Sequence, residues 1–329
     1  MNPFFLSSSN AAAAFSFLLA LASSLPLHAA DPVSINDPRA TIRTPSGELQ
    51  IFPADNPWNQ DVSQLPVDPK SAAYLKSIGL ETGLHPAFGA EYEGNPNGIP
   101  YVFVSGDQAK VAVEFEYADE SDAGPYPVPA DAPIEGGPNA PADSDRHVLM
   151  IDHQNKMLYE LFHVTPLPGG GWKAGSGAIF DLTSNRLRTA GMTSADAAGL
   201  PIFPGLVRYD EVVTNGAIHH ALRFTVRKTQ RGYIAPATHW ASNSKDRNLP
   251  PMGLRVRLRS DFDIAKFPPQ SKVVLQCLKT YGMLLADNGS DWFITGEPHP
   301  KWDDDDLHAL KRVKGSDLQC VDTGELVTR

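Results

Sequence analysis

Residues 146–164, RHVLMIDHQNKMLYELFHV, set two short apolar runs on either side of a polar HQNK turn. Runs of this length, closed by turn-forming polar residues, favour a β-hairpin over a helix. Pairing Asp152 with Met157 puts His147, Leu149 and Ile151 on one face with Leu158, Glu160 and Phe162, because side chains alternate along a strand. The opposite face is apolar as well. A strand pair that is apolar on both faces must be covered on both sides. The chain is therefore expected to be layered and mainly β.

The rest of the pattern agrees with that expectation. KVAVEFEYADESD alternates with period two, and further short strands are expected at Ala178–Leu182, Leu206–Val213, Ile218–Val226, Tyr233–Ala235 and Leu254–Leu258. Helix punctuation appears in VDPKSAAYLKSIG, with Asp68 as N-cap, Pro69 at the first turn and Gly79 as the stop. PPQSKVVLQCLKTYG reads as a second helix ended by Gly282, and DDDDLHALKRV as a short third one. MLLADNGSDWFITG carries a hairpin signal at Asn288–Gly289. The proline-rich stretch 122–144 reads as a long ordered loop wrapping the strands. The expected fold is a β-sandwich or jelly roll with peripheral helices and a short C-terminal α/β segment.

Residues 1–30 hold an apolar run and an Ala-rich zone around Leu27, Ala29 and Ala30, the pattern of a secretory signal peptide, although no Lys or Arg precedes the run. Residues 31–50 are expected to be an extended mature N-terminus. Residues 51–329 form one β-rich domain, with a helix-hairpin-helix segment at 262–329. The mature chain should start near Ala30 or Asp31, be secreted or periplasmic, and contain no membrane span, since the apolar run falls short of the roughly 20 residues a span needs. A formal charge of −10 disfavours nucleic acid and suits a neutral ligand such as a sugar. The two cysteines, Cys277 and Cys320, are expected to pair in an exported chain, a bridge worth ~3–4 kcal/mol in the chain-entropy model.

No nucleotide-binding fingerprint or nucleophile elbow is present. Glu114 and Glu116 share a strand face, a pairing that glycoside hydrolysis could use and that a solvated strand face would equally show. Beyond them Asp119, Glu120 and Asp122 could ligate calcium. Glu160 is the one acid in an apolar run and lies near His147 in the expected register, so its pKa should rise or it should hold a partner. A raised carboxyl suits a general acid, and a structural ion pair suits the same position. In TNGAIHHALRFTV, alternation puts His220 with Leu222 and Phe224, and His219 with Arg223 and Thr225. His220 should face the core, while His219 and Arg223, about 13 Å apart along a strand, should line a groove. Arg208 and Tyr209, in RYDEV, offer an anion-binding arginine and a proton-transfer tyrosine, and His239 with Trp240 offers a sugar platform.

The segments DRHVLMID, SADAAGLPIFPGLVRYDE, HHALRFTV and YGMLLADNGSDW resemble a family of secreted bacterial proteins, over about residues 51–323. The resemblance implies a concanavalin A-like jelly roll and carries no activity and no catalytic residues. Two functions are expected from the residues. One is a secreted enzyme cleaving a polysaccharide, by paired carboxylates as a hydrolase or by His, Tyr and Arg as a lyase. The alternative is a non-catalytic β-sandwich of the cell envelope that binds an oligosaccharide or polysaccharide. The enzyme's catalytic set would be Glu160, His147, His219, His220, Arg223 and Tyr209, and its substrate-binding set Trp240, His239 and Arg208.

Overall fold

A computed structural model describes residues 40–137 and 139–328. The expected leader at 1–30, and residues 31–39, lie outside the described residues. Strand accounts for 27% of the described residues and helix for 17%, so the fold is mainly β, distributed over several sheets. The ten strands of the two larger sheets are β1 (His85–Ala87), β2 (Tyr101–Val104), β3 (Val148–Asp152), β4 (Met157–Phe162), β5 (Ser176–Asp181), β6 (Leu222–Val226), β7 (Arg255–Leu258), β8 (Met283–Asn288), β9 (Phe293–Thr295) and β10 (Leu318–Val321).

The hairpin of residues 146–164 forms in the expected register, with Asp152 opposite Met157 and Leu149 opposite Glu160. It sits in the middle of a four-stranded sheet ordered β5-β4-β3-β2. Both faces are covered. Leu149, Ile151 and Leu158 belong to the main core, while Val148, Met150, Tyr159 and Leu161 belong to a second core. That second core is closed by Tyr126 and Val128 of the proline-rich loop and by a small sheet containing Val113–Phe115 and Trp172–Ala174. The loop at 122–144 is thus a wall of the protein rather than a linker. Residues 41–50, expected to be extended, pair as a hairpin and contribute Ile42 and Leu49 to the main core.

The six-stranded sheet is ordered β10-β7-β8-β6-β9-β1 and is mixed, with β6 parallel to β8 and antiparallel to β9. The expected Asn288–Gly289 hairpin is therefore not formed, because β6 lies between its two arms. The turn wraps the end of β6: Gly289 N and Asn288 Nδ2 donate to the Val226 carbonyl (2.9 and 3.2 Å), and Trp292 N donates to that of Thr225 (3.1 Å). Leu222, Phe224 and Val226 are fully buried, and a strand of that kind is stable only between neighbours. The expected strand over Leu206–Val213 is also replaced, by a π-helical turn at Asp210–Asn215 that brings Glu211 inward. The histidine strand starts only at Leu222, and KVAVEFEY shrinks to the three residues Val113–Phe115.

Three helices pack outside the sheets: α1 (Ser71–Ile78), α2 (Pro269–Thr280) and α3 (Asp304–His308). Helix α1 begins later than Asp68 because the Asp68 side chain accepts from Lys70 N (2.6 Å) and makes a turn ahead of it. The expected disulfide is not formed. Cys277 on α2 donates its thiol to the His220 carbonyl (3.1 Å), whereas the Cys320 amide on β10 donates to Ser71 Oγ of α1 (2.9 Å). Both cysteines are buried and free, held in different surroundings, and burial pushes the Cys320 thiol up to about 12. Among the described residues, no helix is long and apolar enough to cross a membrane.

Candidate functional site

The sequence-derived candidates do not converge on one site. Most are drawn into three separate buried polar clusters. In the first, Glu160 on β4 is fully buried and accepts from the backbone amides of Ile202 (2.9 Å) and Phe203 (2.8 Å). Burial pushes its carboxyl up to about 7, against the pull of those two amides. The expected Glu160–His147 pair is thus replaced by backbone donors. His147 pairs instead with Glu135, at 2.6 Å from Nδ1, and its Nε2 faces the Ala195 carbonyl at 3.1 Å. Burial works against a charged ring there, but the Glu135 carboxylate holds the imidazole up to about 9.

The second cluster is built on the π-helical turn. Glu211 accepts from Arg208 Nη2 at 2.7 Å and lies 3.1 Å from His220 Nε2. Burial opposes the Glu211 charge, yet Arg208 and His220 hold its carboxyl below the usual carboxylate range. His220 faces the core, as alternation required. Arg208 lines a small cavity of about 80 Å³ with Tyr101 and Glu211, and its buried Nε has no hydrogen-bond partner among the described residues.

The third cluster overturns the groove expected beside His219. Arg223 is buried, and its guanidinium makes a two-pronged pair with Asp196 (2.6 and 2.9 Å) and donates to Thr295 Oγ1 (2.8 Å). Because β6 is central in its sheet, Arg223 on its second face is buried as well, and alternation does not separate core from solvent there. Asp287 lies close to Asp196. Burial, reinforced by the Asp196 charge, pushes the Asp287 carboxyl up to about 8. His219 is half-buried with its ring edge-on to Tyr281. Trp240 is flanked by the rings of Tyr233 and His239 and by the Arg231 guanidinium, with His239 Nδ1 at 2.7 Å from the Ala197 carbonyl.

The acids considered for calcium do not gather. Asp122 accepts from Arg188 and from Ile179 N, while Asp119 is exposed and Glu120 half-buried beside it. Among the described residues the donors that do converge are Glu135, Asp145 and His147, whose ligand atoms lie within 4.8 Å of one another. Glu114 and Glu116 are both exposed.

The best-formed groove lies elsewhere and holds about 710 Å³. One wall is the small hairpin of Glu91–Tyr92 and Asn95–Pro96, the other is loop 131–137, and Pro298–Pro300 closes it. Prolines and Ile134 make most of the lining apolar, and Glu91, Asn95, Asp131 and His299 supply polar groups. The His299 ring stacks on Tyr209 at 3.7 Å, and burial with the nearby Lys301 charge lowers its pKa. Tyr209 is fixed in turn by its amide, which donates to Glu297 Oε1 (2.5 Å), and by the edge of Trp302. Tyr209 therefore supports the groove from behind. A second depression of about 720 Å³ flanks the 41–50 hairpin, without a fixed ring of this kind in its lining. Neither His299 nor the hairpin 91–96 stood out in the sequence; the one available signal was the cluster of prolines on both sides of His299.

No protein-family model, no curated protein and no solved structure matches this chain.

Proposed function

We propose that this chain is an exported β-sandwich protein that binds an oligosaccharide in the groove beside His299, without cleaving it. The observation that carries this reading is the groove itself. Apolar walls with a few oriented polar groups are the usual make-up of a small-ligand site. A sugar offers an apolar C–H face to Pro, Ile134 and the flat His299 ring, and hydroxyls that donate to Glu91 and Asp131. A net charge of −10 favours a neutral glycan over an acidic one. The carboxyls whose pKa burial raises, Glu160, Asp287 and Glu297, are not among the groove's lining residues, which favours binding over acid–base cleavage there. In this reading the four-stranded and six-stranded sheets are the sandwich layers, and their parallel pairs depart from a jelly roll.

Calorimetric titration of the full chain with a panel of neutral oligosaccharides tests the reading. Binding that weakens in Asp131→Ala and His299→Ala, and not in Trp240→Ala, is the expected result. Release of reducing ends would replace it by hydrolysis, and an ultraviolet-absorbing unsaturated product by elimination. Absence of binding across the panel would remove it.

A further inference from the structure

We propose that Glu135, Asp145 and His147 form a binding site for a divalent transition-metal ion of the zinc class. The inference stands apart from the glycan reading and uses different side chains. Three ligand atoms, one imidazole nitrogen and two carboxylate oxygens, lie within 4.8 Å of one another. A small inward turn of the exposed Asp145 side chain would bring all three within the roughly 2.0–2.2 Å reach of one ion.

The histidine is oriented for the task. His147 is buried, and its Nε2 faces the Ala195 carbonyl at 3.1 Å. A proton on Nε2 satisfies that carbonyl, so an ion bound at Nδ1 would displace only the proton that this nitrogen shares with Glu135. A ligating histidine anchored through its other nitrogen on a backbone carbonyl is the usual support of a metal site. The Glu135 carboxylate is positioned twice over: its Oε2 lies 2.6 Å from His147 Nδ1 and 3.3 Å from His147 N, and its own amide donates to the His147 carbonyl (3.0 Å).

The backbone between the other two ligands is also unusual. Arg146 has φ +46°, a left-handed conformation that side-chain-bearing residues adopt at a cost. Its guanidinium is tied away from the cluster, to the carbonyls of Val164 and Ala140 (2.8 Å each), while His163 N donates to the Asp145 carbonyl (2.7 Å). These bonds fix the backbone that carries Asp145 and His147. Asp145 is exposed and Glu135 half-buried, so the cluster opens to solvent and water can complete the coordination. One nitrogen with two oxygens suits zinc or manganese; calcium prefers six to eight oxygens.

Loop 131–137 carries Glu135 inward while its neighbours Ile134 and Gly136 line the groove. A bound ion would pin that wall. The test is calorimetric titration of the chelator-treated full chain with zinc chloride alone, repeated with cobalt for its visible absorption. One zinc per chain is expected, with Asp145→Asn and Glu135→Gln each weakening it about tenfold or more. Asp145 is exposed, so that variant tests the site even where His147→Ala fails to fold. No zinc uptake at micromolar concentrations would overturn the proposal. So would unchanged affinity in both carboxylate variants, or calcium binding more tightly than zinc.

Discussion

His220 meets an acceptor at each ring nitrogen, the Ala221 carbonyl at 2.7 Å and Glu211 at 3.1 Å. Removing the ring leaves Glu211 buried with Arg208 as its remaining ionic partner. His220→Ala should therefore cost about 1–3 kcal/mol of stability in denaturant unfolding, and His219→Ala distinctly less. Equal losses would show that Glu211 does not depend on the ring. Asp287 has the opposite character, since it is a half-buried acid set beside Asp196 that resists ionising. Its folded pKa of about 8 lies above the ordinary aspartate value of 3.8, so the folded state holds the extra proton between those pH values. Stability contributed by that proton is present at low pH and is lost as pH rises towards 8. Asp287→Asn keeps a neutral side chain in place, and its melting temperature should fall less between pH 5 and 8 than that of the native chain. Parallel melting profiles would rule this out.

Among the elements, the helices follow local punctuation, but their ends are completed from elsewhere in the chain. Asp306 on α3 accepts from Gln270 N and Ser271 N, at 2.8 Å each, and so caps the start of α2 across the fold. Asp306→Ala should cost about 0.5–2 kcal/mol in urea unfolding, the usual range for a lost cap; an unchanged midpoint would show that solvent replaces it. The acidic first turn of DDDDLHALKRV was readable as a helix start, because Asp303 caps Asp306 N locally at 3.0 Å. That the same run caps a second helix was not, because nothing near Asp306 in sequence refers to α2. The Asn288–Gly289 turn has the same lesson. A turn signal specifies a reversal of the chain, but which strand fills the space between the arms depends on β6, more than sixty residues earlier in the chain.

For the whole molecule, the cysteines give a direct check on the layering. Denaturing alkylation without reductant should label both Cys277 and Cys320, with no further label after reduction; two protected cysteines would mean that α2 and β10 approach far more closely. Short-range chemistry was decided within the sequence itself: the mainly β character, the 152–157 register, the helix at 269–280 and the inward His220 all follow from alternation and punctuation, which act over a few residues. The pairing of Arg223 with Asp196, of His147 with Glu135 and of Glu160 with two amides was decided only by tertiary structure. That Glu160 needed some partner was evident from an acid in an apolar run, whereas Arg223 was expected in a groove. The identity of each partner was not evident, because it depends on which distant segment the packing of the layers brings within about 3 Å. The groove is of the same kind, since its walls come from three segments that meet only when the sheets have packed.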